Sequence, residues 1–431
     1  MIREIIGYSE EGRPLSALLC GGHFAPFRIM IIAGQHGDEP LARAIVSRLG
    51  KYYNSEGFVG NSIYLAVLDN ANPDGSAKGI RENARGVDLN RDHQLLKAVE
   101  TRVLHNFVRK WRPHLIIDVH TYPPRRKHLL RQNLIYCHDV FIDMPNNPSL
   151  GSRFPIPLIT ELLQAVITRM NTAGFRCDRY TLIKDSGRIR HSAPGIVDAR
   201  NGLALRYGIP TVLVEGRQPS MRKNSETPGR IEAAMELALK TIITWGSRNC
   251  GLLTQSAAAV NPGEEIVIRS RYILAKKPPT MAFKMADTGQ IREICLPGRF
   301  TPKVEAIKCV VAPRAYAVPK HLFGVIQALE RHGIAGRPID SHSPMCVDRY
   351  WIDAIRSSSQ PHRAFLDLST RVSTGYTILK NYLLFPVTDN GGHILPVFLE
   401  PESKYCLFRC KEINLQLRTN MPYPILRISS L

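Results

Sequence analysis

Residues 27–39 read FRIMIIAGQHGDE, an apolar run that ends in the polar residues His36 and Glu39. A short apolar run followed by a glycine-containing turn is typical of a buried β-strand. The run at residues 115–117 (LII) has the same character and leads to His120. In an open α/β sheet, polar groups at the carboxyl ends of the strands line the crevice that binds ligands. The two stretches therefore predict a functional site at one edge of such a sheet.

Two imidazoles and one carboxylate at these strand ends are a donor set with known chemistry. His36, Glu39 and His120 match the ligands of a catalytic zinc ion, which keeps its fourth position open for water. Glu215 closes a later apolar run, residues 210–214, and is a candidate general base. A lone His-x-x-Glu would carry little weight in a chain with 14 histidines. The prediction therefore depends on the residues between the two metal-binding stretches.

Residues 72–75 (NPDG) and 81–91 (RENARGVDLNR) lie between them, in that order. With these stretches the chain resembles the zinc carboxypeptidase family, which includes carboxypeptidases A and B and the bacterial murein-peptide amidases. The opening residues 7–15 (GYSEEGRPL) are similar to the first strand and turn of that family. The resemblance covers roughly the first half of the chain. It implies an α/β catalytic domain with a mixed, mostly parallel sheet and helices on both faces.

The resemblance also implies a role for each residue of the metal centre. It assigns one Zn²⁺ per catalytic domain to His36, Glu39 and His120, and it places the general base at Glu215. Asp88 is expected to accept a hydrogen bond from the ring nitrogen of His36 that faces away from the metal, as carboxylates do beside many zinc-binding histidines.

Substrate binding is expected at arginines and an asparagine of the same motif. The resemblance implies that Asn90 and Arg91 bind the terminal carboxylate of the substrate and that Arg81 polarises the scissile carbonyl. The guanidinium of an arginine binds a carboxylate with two parallel hydrogen bonds, which a lysine cannot do. The alternative for Arg81 and Arg91 is a solvated loop charge, which is the commoner fate of a single arginine. Arg200 is a further candidate for the carboxylate contact.

The chain departs from the family pattern at several positions. Asp92 and His93 follow the Asn-Arg pair where the family usually has Asn-Phe, so the wall behind the carboxylate contact is expected to differ. Tyr180 and Tyr207 are both candidates for the substrate-facing tyrosine of the family, and neither spacing decides between them. Arg217 would place an additional positive charge close to the base. Substrate specificity is therefore not fixed by the motifs.

The length of 431 residues predicts two or three domains. Alternating strand and helix patterns predict a catalytic domain at residues 1–248, and a shift to Ser, Ala, Asn, Pro and Gly at residues 247–263 predicts a linker. In the catalytic domain, residues 70–91 are expected to form a long loop, and a helix is expected with Pro40 in its first turn. A β-rich or α+β accessory domain is expected at residues 262–431, with residues 394–399 among its strand candidates. Parts of it look like the C-terminal extension of some bacterial members of the family, namely residues 315–319, 331–334 and 399–403.

The formal net charge of +20 calls for a partner of opposite charge. The sequence has no zinc finger, no glycine-rich phosphate loop and no basic helix with interleaved aromatic residues, so nucleic acid is not the expected partner. Basic residues cluster at 125–131, directly after His120, and at 188–200, before Glu215. The clusters are either solvated loops or the wall of a cleft that selects acidic peptides.

The sequence also bears on the compartment. No apolar run approaches the ~20 residues of a membrane helix, and residues 1–4 lead into strand-like sequence without the apolar core of a signal peptide. Nine cysteines without a Cys-x-x-Cys pair favour reduced thiols. We therefore expect a cytoplasmic protein without a membrane partner.

Three functions agree with these observations. The first is a zinc-dependent carboxypeptidase or peptide amidase that hydrolyses the C-terminal amide bond of a small, acidic peptide of the murein or glutamyl type. The second is a deacylase of N-acyl amino acids, because the aspartoacylase and succinylglutamate desuccinylase group shares His-x-x-Glu, Asp-Leu-Asn-Arg and a late histidine. Residues 72–75 favour the first. The third, a catalytically silent binding module, is disfavoured by the complete set of ligands and base.

Overall fold

The computed structural model describes residues 2–55, 62–152, 154–219, 229–254, 261–339, 344–357, 366–388, 393–413 and 417–429. Two compact units are present. The first comprises Met1–Asn147, Phe154–Ala257 and Tyr272–Val304, and the second comprises Pro148–Arg153, Ala258–Arg271 and Glu305–Leu431. Residues 272–304 thus pack with the first unit although they follow the predicted linker. Part of that linker, residues 255–260, lies outside the described residues, and the domain boundaries stay a prediction.

An eight-stranded sheet forms the centre of the first unit. Its order is β1-β2-β4-β3-β5-β11-β7-β8, and β3 pairs in parallel with β4 and β5, β5 with β11, and β7 with β8. The predicted mixed, mostly parallel sheet is confirmed. The strands of this unit up to residue 217 are β1 (Ile2–Tyr8), β2 (Pro14–Gly21), β3 (Phe27–Ala33), β4 (Ile63–Leu68), β5 (Leu115–Tyr122), β6 (Leu134–Tyr136), β7 (Val140–Asp143), β8 (Cys177–Arg179), β9 (Leu182–Ile183), β10 (Arg188–Arg190) and β11 (Thr211–Arg217).

Helices cover both faces of this sheet, as predicted. One face packs on α1, α5 and α7, with apolar contacts among residues such as Ile29, Ile117 and Val214. The other face packs on α3 and α6, against residues such as Met30 and Ile116. The helices of the unit are α1 (Pro40–Ser55), α2 (Pro73–Lys78), α3 (Val99–Trp111), α4 (Lys127–Leu130), α5 (Ile156–Thr172), α6 (Ala199–Tyr207), α7 (Arg230–Arg248) and α8 (Cys250–Thr254).

Two small sheets add to the first unit. The strand β13 (Thr280–Met285) pairs with β6 on one side and with β14 (Ile291–Cys295) on the other, and β15 (Arg299–Phe300) pairs with β10. The strands β12 (Glu265–Ile273) and β16 (Lys303–Val311) form a two-stranded sheet of their own.

The second unit contains a six-stranded antiparallel sheet with the order β18-β21-β17-β22-β19-β20. Its core holds the buried carboxylate of Glu400, which accepts a hydrogen bond of 2.6 Å from the Tyr316 hydroxyl. The elements are β17 (Ala315–Pro319), α9 (Phe323–Arg331), β18 (Arg337–Pro338), β19 (Met345–Ser357), β20 (Leu366–Thr377), β21 (Tyr382–Pro386), α10 (Ile394–Leu399) and β22 (Pro422–Ile428).

Two expectations from the sequence were wrong at the level of elements. Residues 394–399 (ILPVFL), which read as a strand, form the buried helix α10. A short apolar run is compatible with either element, and burial on all sides made the helix possible here. The stretch 70–91, expected to be an irregular loop, contains α2. Among the described helices, none combines the length and apolar character needed to cross a bilayer. All nine cysteines are free thiols.

Candidate metal centre

The carboxyl ends of three neighbouring parallel strands carry the predicted site. His36 and Glu39 follow β3, His120 lies in β5, and Glu215 lies in β11. Glu215 and His120 are direct partners in the ladder between β11 and β5. Because side chains alternate along a strand, His120 and Glu215 project to the sheet face opposite Val119 and Val214. Four positions that are up to 179 residues apart in the chain are thereby brought to one edge.

The turn between His36 and Glu39 is packed tightly against the next segment. A Cβ atom on Gly37 would lie 2.1 Å from the carbonyl carbon of Gly75, so only glycine fits. Asn72 caps α2 by accepting a hydrogen bond of 2.9 Å from the Gly75 amide, and its own amide group donates to the carbonyl of Arg81 over 3.2 Å. Residues 72–75 (NPDG) therefore hold Arg81 close to the turn between His36 and Glu39.

His36, Glu39 and His120 converge at the sheet edge. They are 4%, 4% and 1% exposed, and one donor atom from each lies within 4.8 Å of the others. The Nδ1 atom of His36 lies 2.6 Å from Oε1 of Glu39, and Nδ1 of His120 lies 3.1 Å from Oε2 of the same carboxylate. The Thr121 amide donates to Oε2 over 3.0 Å and orients that carboxylate. The three residues thus form one buried cluster.

Hydrogen bonds on the outer side of each imidazole select the nitrogen that faces the centre. Nε2 of His36 donates to Asp88 over 3.2 Å, and Nε2 of His120 donates to Asp118 over 3.0 Å. A neutral imidazole that donates from Nε2 has a lone pair at Nδ1. The two Nδ1 atoms lie 3.2 Å apart, next to the Glu39 carboxylate. Acceptors this close repel one another unless a cation lies between them, so the donor set fits Zn²⁺.

The carboxylates give this centre a negative potential. Burial acts against charge on every group here, yet the positive charge and hydrogen bonds of the two histidines lower the pKa of Glu39 to about 2. Burial likewise opposes protonation of His36, but hydrogen bonds to Asp88 and Glu39 raise its pKa. A bound divalent cation would supply the positive charge that these carboxylates stabilise, in place of the imidazole protons.

Glu215 lies beside the cluster and is partly buried. Burial raises the pKa of its carboxyl group to about 7; the positive charge of His120 opposes this shift and the negative charge of Glu39 adds to it. A cation at the centre would favour the ionised form. A carboxyl group whose pKa is close to neutral suits proton transfer in both directions.

Asp88 links the metal cluster to Arg81. Its Oδ1 accepts from His36, and its Oδ2 accepts a hydrogen bond of 2.9 Å from Nε of Arg81. Burial opposes ionisation of Asp88, but the hydrogen bond with His36 and the charges of Arg81 and Arg91 hold its pKa below the usual value. Asp88 therefore connects Arg81 to His36, and the role of Arg81 at the scissile carbonyl stays a prediction.

Asn90 and Arg91 lie next to the cluster in different environments. The Asn90 amide nitrogen is 3.2 Å from Nε2 of His120, and its oxygen accepts a hydrogen bond of 2.8 Å from the Ala199 amide. Arg91 is exposed, and one Nη donates to the carbonyl of Asn90 over 2.6 Å. The position of Arg91 leaves room for a ligand at its guanidinium, and the substrate-binding role of both residues stays a prediction.

Arg200 is packed differently from the other predicted substrate contacts. It is 2% exposed, and its guanidinium donates to the carbonyls of Met144 (2.5 Å) and Ala193 (2.6 Å) and to the side chain of Asn146 (3.1 Å). It also lies 3.6 Å from a carboxylate oxygen of Asp198. Its role in substrate binding stays a prediction, and this packing favours a role in joining two loops.

The structure separates the two candidate tyrosines. Burial raises the pKa of the Tyr180 hydroxyl, and the negative charge of Glu215 raises it further, so Tyr180 interacts electrostatically with the base. Tyr207 is the last residue of α6, and its hydroxyl lies 3.1 Å from Nδ1 of His105. Arg217, expected to add charge beside Glu215, instead forms an ion pair of 3.1 Å with Asp139.

Sequence reasoning missed Asp118 as a partner of the site. It precedes His120 by two residues, so both side chains project from the same face of β5. A carboxylate that shares a strand face with a metal ligand was a signal available in the sequence. Gln35 was also missed; its amide group donates to Asp118 over 2.7 Å.

Comparison with known proteins places these features in context. No family model matches the chain. Among curated proteins it is similar to carboxypeptidase 2 of Trichophyton rubrum, with 23% identity over 432 residues that cover 93% of this chain and 76% of that protein. Carboxypeptidase 2 of Trichophyton tonsurans is 22% identical over 333 residues, which cover 71% of this chain and 59% of that protein. The chain thus spans less than two thirds of the second relative.

Solved structures give more partial matches. A metallo-carboxypeptidase from Burkholderia cenocepacia aligns with a TM-score of 0.42 and 20% identity over 56% of this chain and 63% of that chain. A murein-tripeptide amidase from Escherichia coli O157 aligns with a TM-score of 0.35 and 15% identity over 56% of this chain and 91% of that chain.

Proposed function

We propose that the chain is a member of the zinc carboxypeptidase family and acts as a zinc-dependent carboxypeptidase or peptide amidase that releases the C-terminal residue of small acidic peptides. The observation that carries this proposal is the convergence of His36, Glu39 and His120 beside Glu215, on strands that are distant in sequence. The two curated relatives described above, both named carboxypeptidase 2, support the same reaction class.

The proposal gives each residue a separate task. A zinc ion held by the triad would acidify a water molecule and polarise the scissile carbonyl. Glu215 would accept the proton of that water and pass it to the departing amine. Arg81, held by Asp88, would stabilise negative charge on the carbonyl oxygen. Arg91 would bind the terminal carboxylate of the substrate.

A group of cations around Lys184, which includes Arg91, supports an acidic substrate. Lys184 is exposed, and its pKa is lowered first by partial burial and then by the positive charges of Arg190, Arg126, Arg91 and Arg188. In the part of the chain that the structure describes, no carboxylate forms an ion pair with any of these five side chains. Like charges without anionic partners favour a ligand that brings additional negative charge.

The proposed reaction can be tested with the zinc-loaded protein and a panel of blocked dipeptides. One set should end in Glu or Asp, a second in Leu or Ala, and a third should carry a C-terminal amide in place of the carboxylate. We expect release of the last residue from the first set with a kcat/KM about fivefold or more above the second, since one charge contact near the surface is worth about 1 kcal/mol. The third set should not react.

The outcomes separate the proposal from its alternatives. Preferred cleavage of N-acyl amino acids over all dipeptides would favour the deacylase reaction instead. Cleavage without preference for acidic residues would contradict the proposed substrate class and leave the proposed carboxypeptidase reaction in place. No hydrolysis of any carboxylate-terminated peptide would contradict the proposed function. The preference for acidic peptides should also weaken as salt is added, because salt screens exposed charges.

Arg91→Ala is expected to raise KM for carboxylate-terminated peptides about 10- to 100-fold with a small change in kcat. A hydrogen bond to a charged group contributes about 1.5–3 kcal/mol, and this contact is present before and during the reaction. Steady-state kinetics measure the effect. Arg169→Ala, at an exposed position of α5, serves as the control and should leave KM unchanged. An unchanged KM in the Arg91 variant would assign the carboxylate contact to another residue.

A further inference from the structure

A continuous row of buried polar side chains leads away from the metal centre. Starting at Asp118, the contacts are 2.7 Å to Nε2 of Gln35, 2.8 Å from Oε1 of Gln35 to Nε2 of His93, and 3.0 Å from Nδ1 of His93 to Nε2 of His105. Nδ1 of His105 then lies 3.1 Å from the Tyr207 hydroxyl. Gln35, His93 and His105 are each 1% exposed.

The direction of these hydrogen bonds follows from their end at Asp118. A carboxylate only accepts hydrogen bonds, so the amide nitrogen of Gln35 faces Asp118 and its oxygen faces His93. Nε2 of His93 must therefore donate to that oxygen. Burial lowers the pKa of His93 to about 4, so the ring is neutral near pH 7 and its Nδ1 accepts from His105.

The same row ends at a metal ligand. Oδ1 of Asp118 accepts from Gln35 and also from Nε2 of His120, and no described group bonds to its Oδ2. The orientation of the Asp118 carboxylate thus depends on Gln35, and that of Gln35 depends on His93. If the donor from His93 were lost, Gln35 could rotate its amide and the hydrogen bond that fixes Nε2–H of His120 would weaken.

We propose that His93 is a positioning residue that acts through Gln35 and Asp118 to hold His120 with its Nδ1 lone pair toward the metal. This inference rests on the proposed zinc centre. It also gives a physical reason for a histidine at position 93, because an apolar side chain there could not donate a hydrogen bond to Gln35. Partners of zinc-binding histidines typically change metal affinity 10- to 100-fold when removed. His93 is three contacts away from His120, through Gln35 and Asp118, so we expect the lower end, about 10-fold.

Two substitutions at this position separate positioning from packing. His93→Gln can place an amide N–H where Nε2 was, and so keeps the donor to Gln35. His93→Asn can place an acceptor where Nδ1 was, and so keeps only the contact with His105. Zinc affinity, measured by competition with a chromophoric chelator, should stay within about twofold of wild type in His93→Gln and fall about 10-fold in His93→Asn. The visible spectrum of the cobalt-substituted protein should change in His93→Asn alone.

The outcomes are distinct. Equal zinc affinity in both variants, whether retained or lost, would contradict the inference. If His93→Asn failed to fold, Gln35→Met would interrupt the same row with a side chain of similar size, and an unchanged zinc affinity there would also contradict it. Failure of the wild-type protein to bind zinc would instead overturn the proposed function.

Discussion

Glu215→Gln is expected to lower kcat between about 10²- and 10⁴-fold while zinc affinity stays near the wild-type value. The substitution removes the proton acceptor and keeps the shape of the side chain. Glu215 is not one of the three clustered donors, so the metal should remain bound. Turnover of an acidic dipeptide and zinc content by atomic absorption, measured on the same sample, test both halves of the expectation.

Glu161→Gln is a matched control for this experiment. Glu161 is exposed on α5, and this helix packs on the sheet face opposite to that of Glu215. The Glu161→Gln variant should therefore have the activity of the wild-type protein. Full turnover in the Glu215 variant would mean that another group moves the proton. Loss of zinc in that variant would mean that Glu215 takes part in metal binding.

The metal centre could be predicted from the sequence because local features define it. His36 and Glu39 share one turn, and His120 ends a run that is apolar enough to be a buried strand. The carboxyl ends of parallel strands meet at one edge, so the three-dimensional convergence followed once the strands were identified. The position of Glu215 opposite His120 in the ladder follows from the same argument.

The hydrogen-bonded side chains behind the metal centre could not be predicted, because they are distant in sequence and belong to residue types that are common in protein cores. A buried histidine such as His93 or His105 is usually a satisfied core residue, and only the contacts with Gln35 give it a direction. The role of Arg200 is obscured for the opposite reason. Arginine is normally exposed, so it was considered for substrate binding, whereas its guanidinium is enclosed by loop carbonyls.

The secondary structure shows a similar limit. The sequence pattern identified β3 and the helix with Pro40 in its first turn, because a long amphipathic helix and a buried strand differ clearly in pattern. It failed at residues 394–399, where six apolar residues contain no polar position that could reveal a period. Such segments are decided by the packing of the rest of the unit.

Glu39→Gln is expected to reduce zinc affinity by more than about 100-fold and to abolish turnover, whereas Asp88→Asn should reduce affinity within the range of about 10- to 100-fold. The Glu39 substitution replaces the charged carboxylate of the cluster with a neutral amide. The amide oxygen of the new glutamine can still accept a hydrogen bond from the Thr121 amide, so the turn should fold. The Asp88 substitution leaves all three metal-binding side chains in place and weakens the hydrogen bonds of Asp88 with His36 and Arg81. Competition with a chelator ranks the two variants directly. A smaller effect for Glu39→Gln than for Asp88→Asn would exclude Glu39 as a ligand, and with it the reaction proposed for this sheet edge.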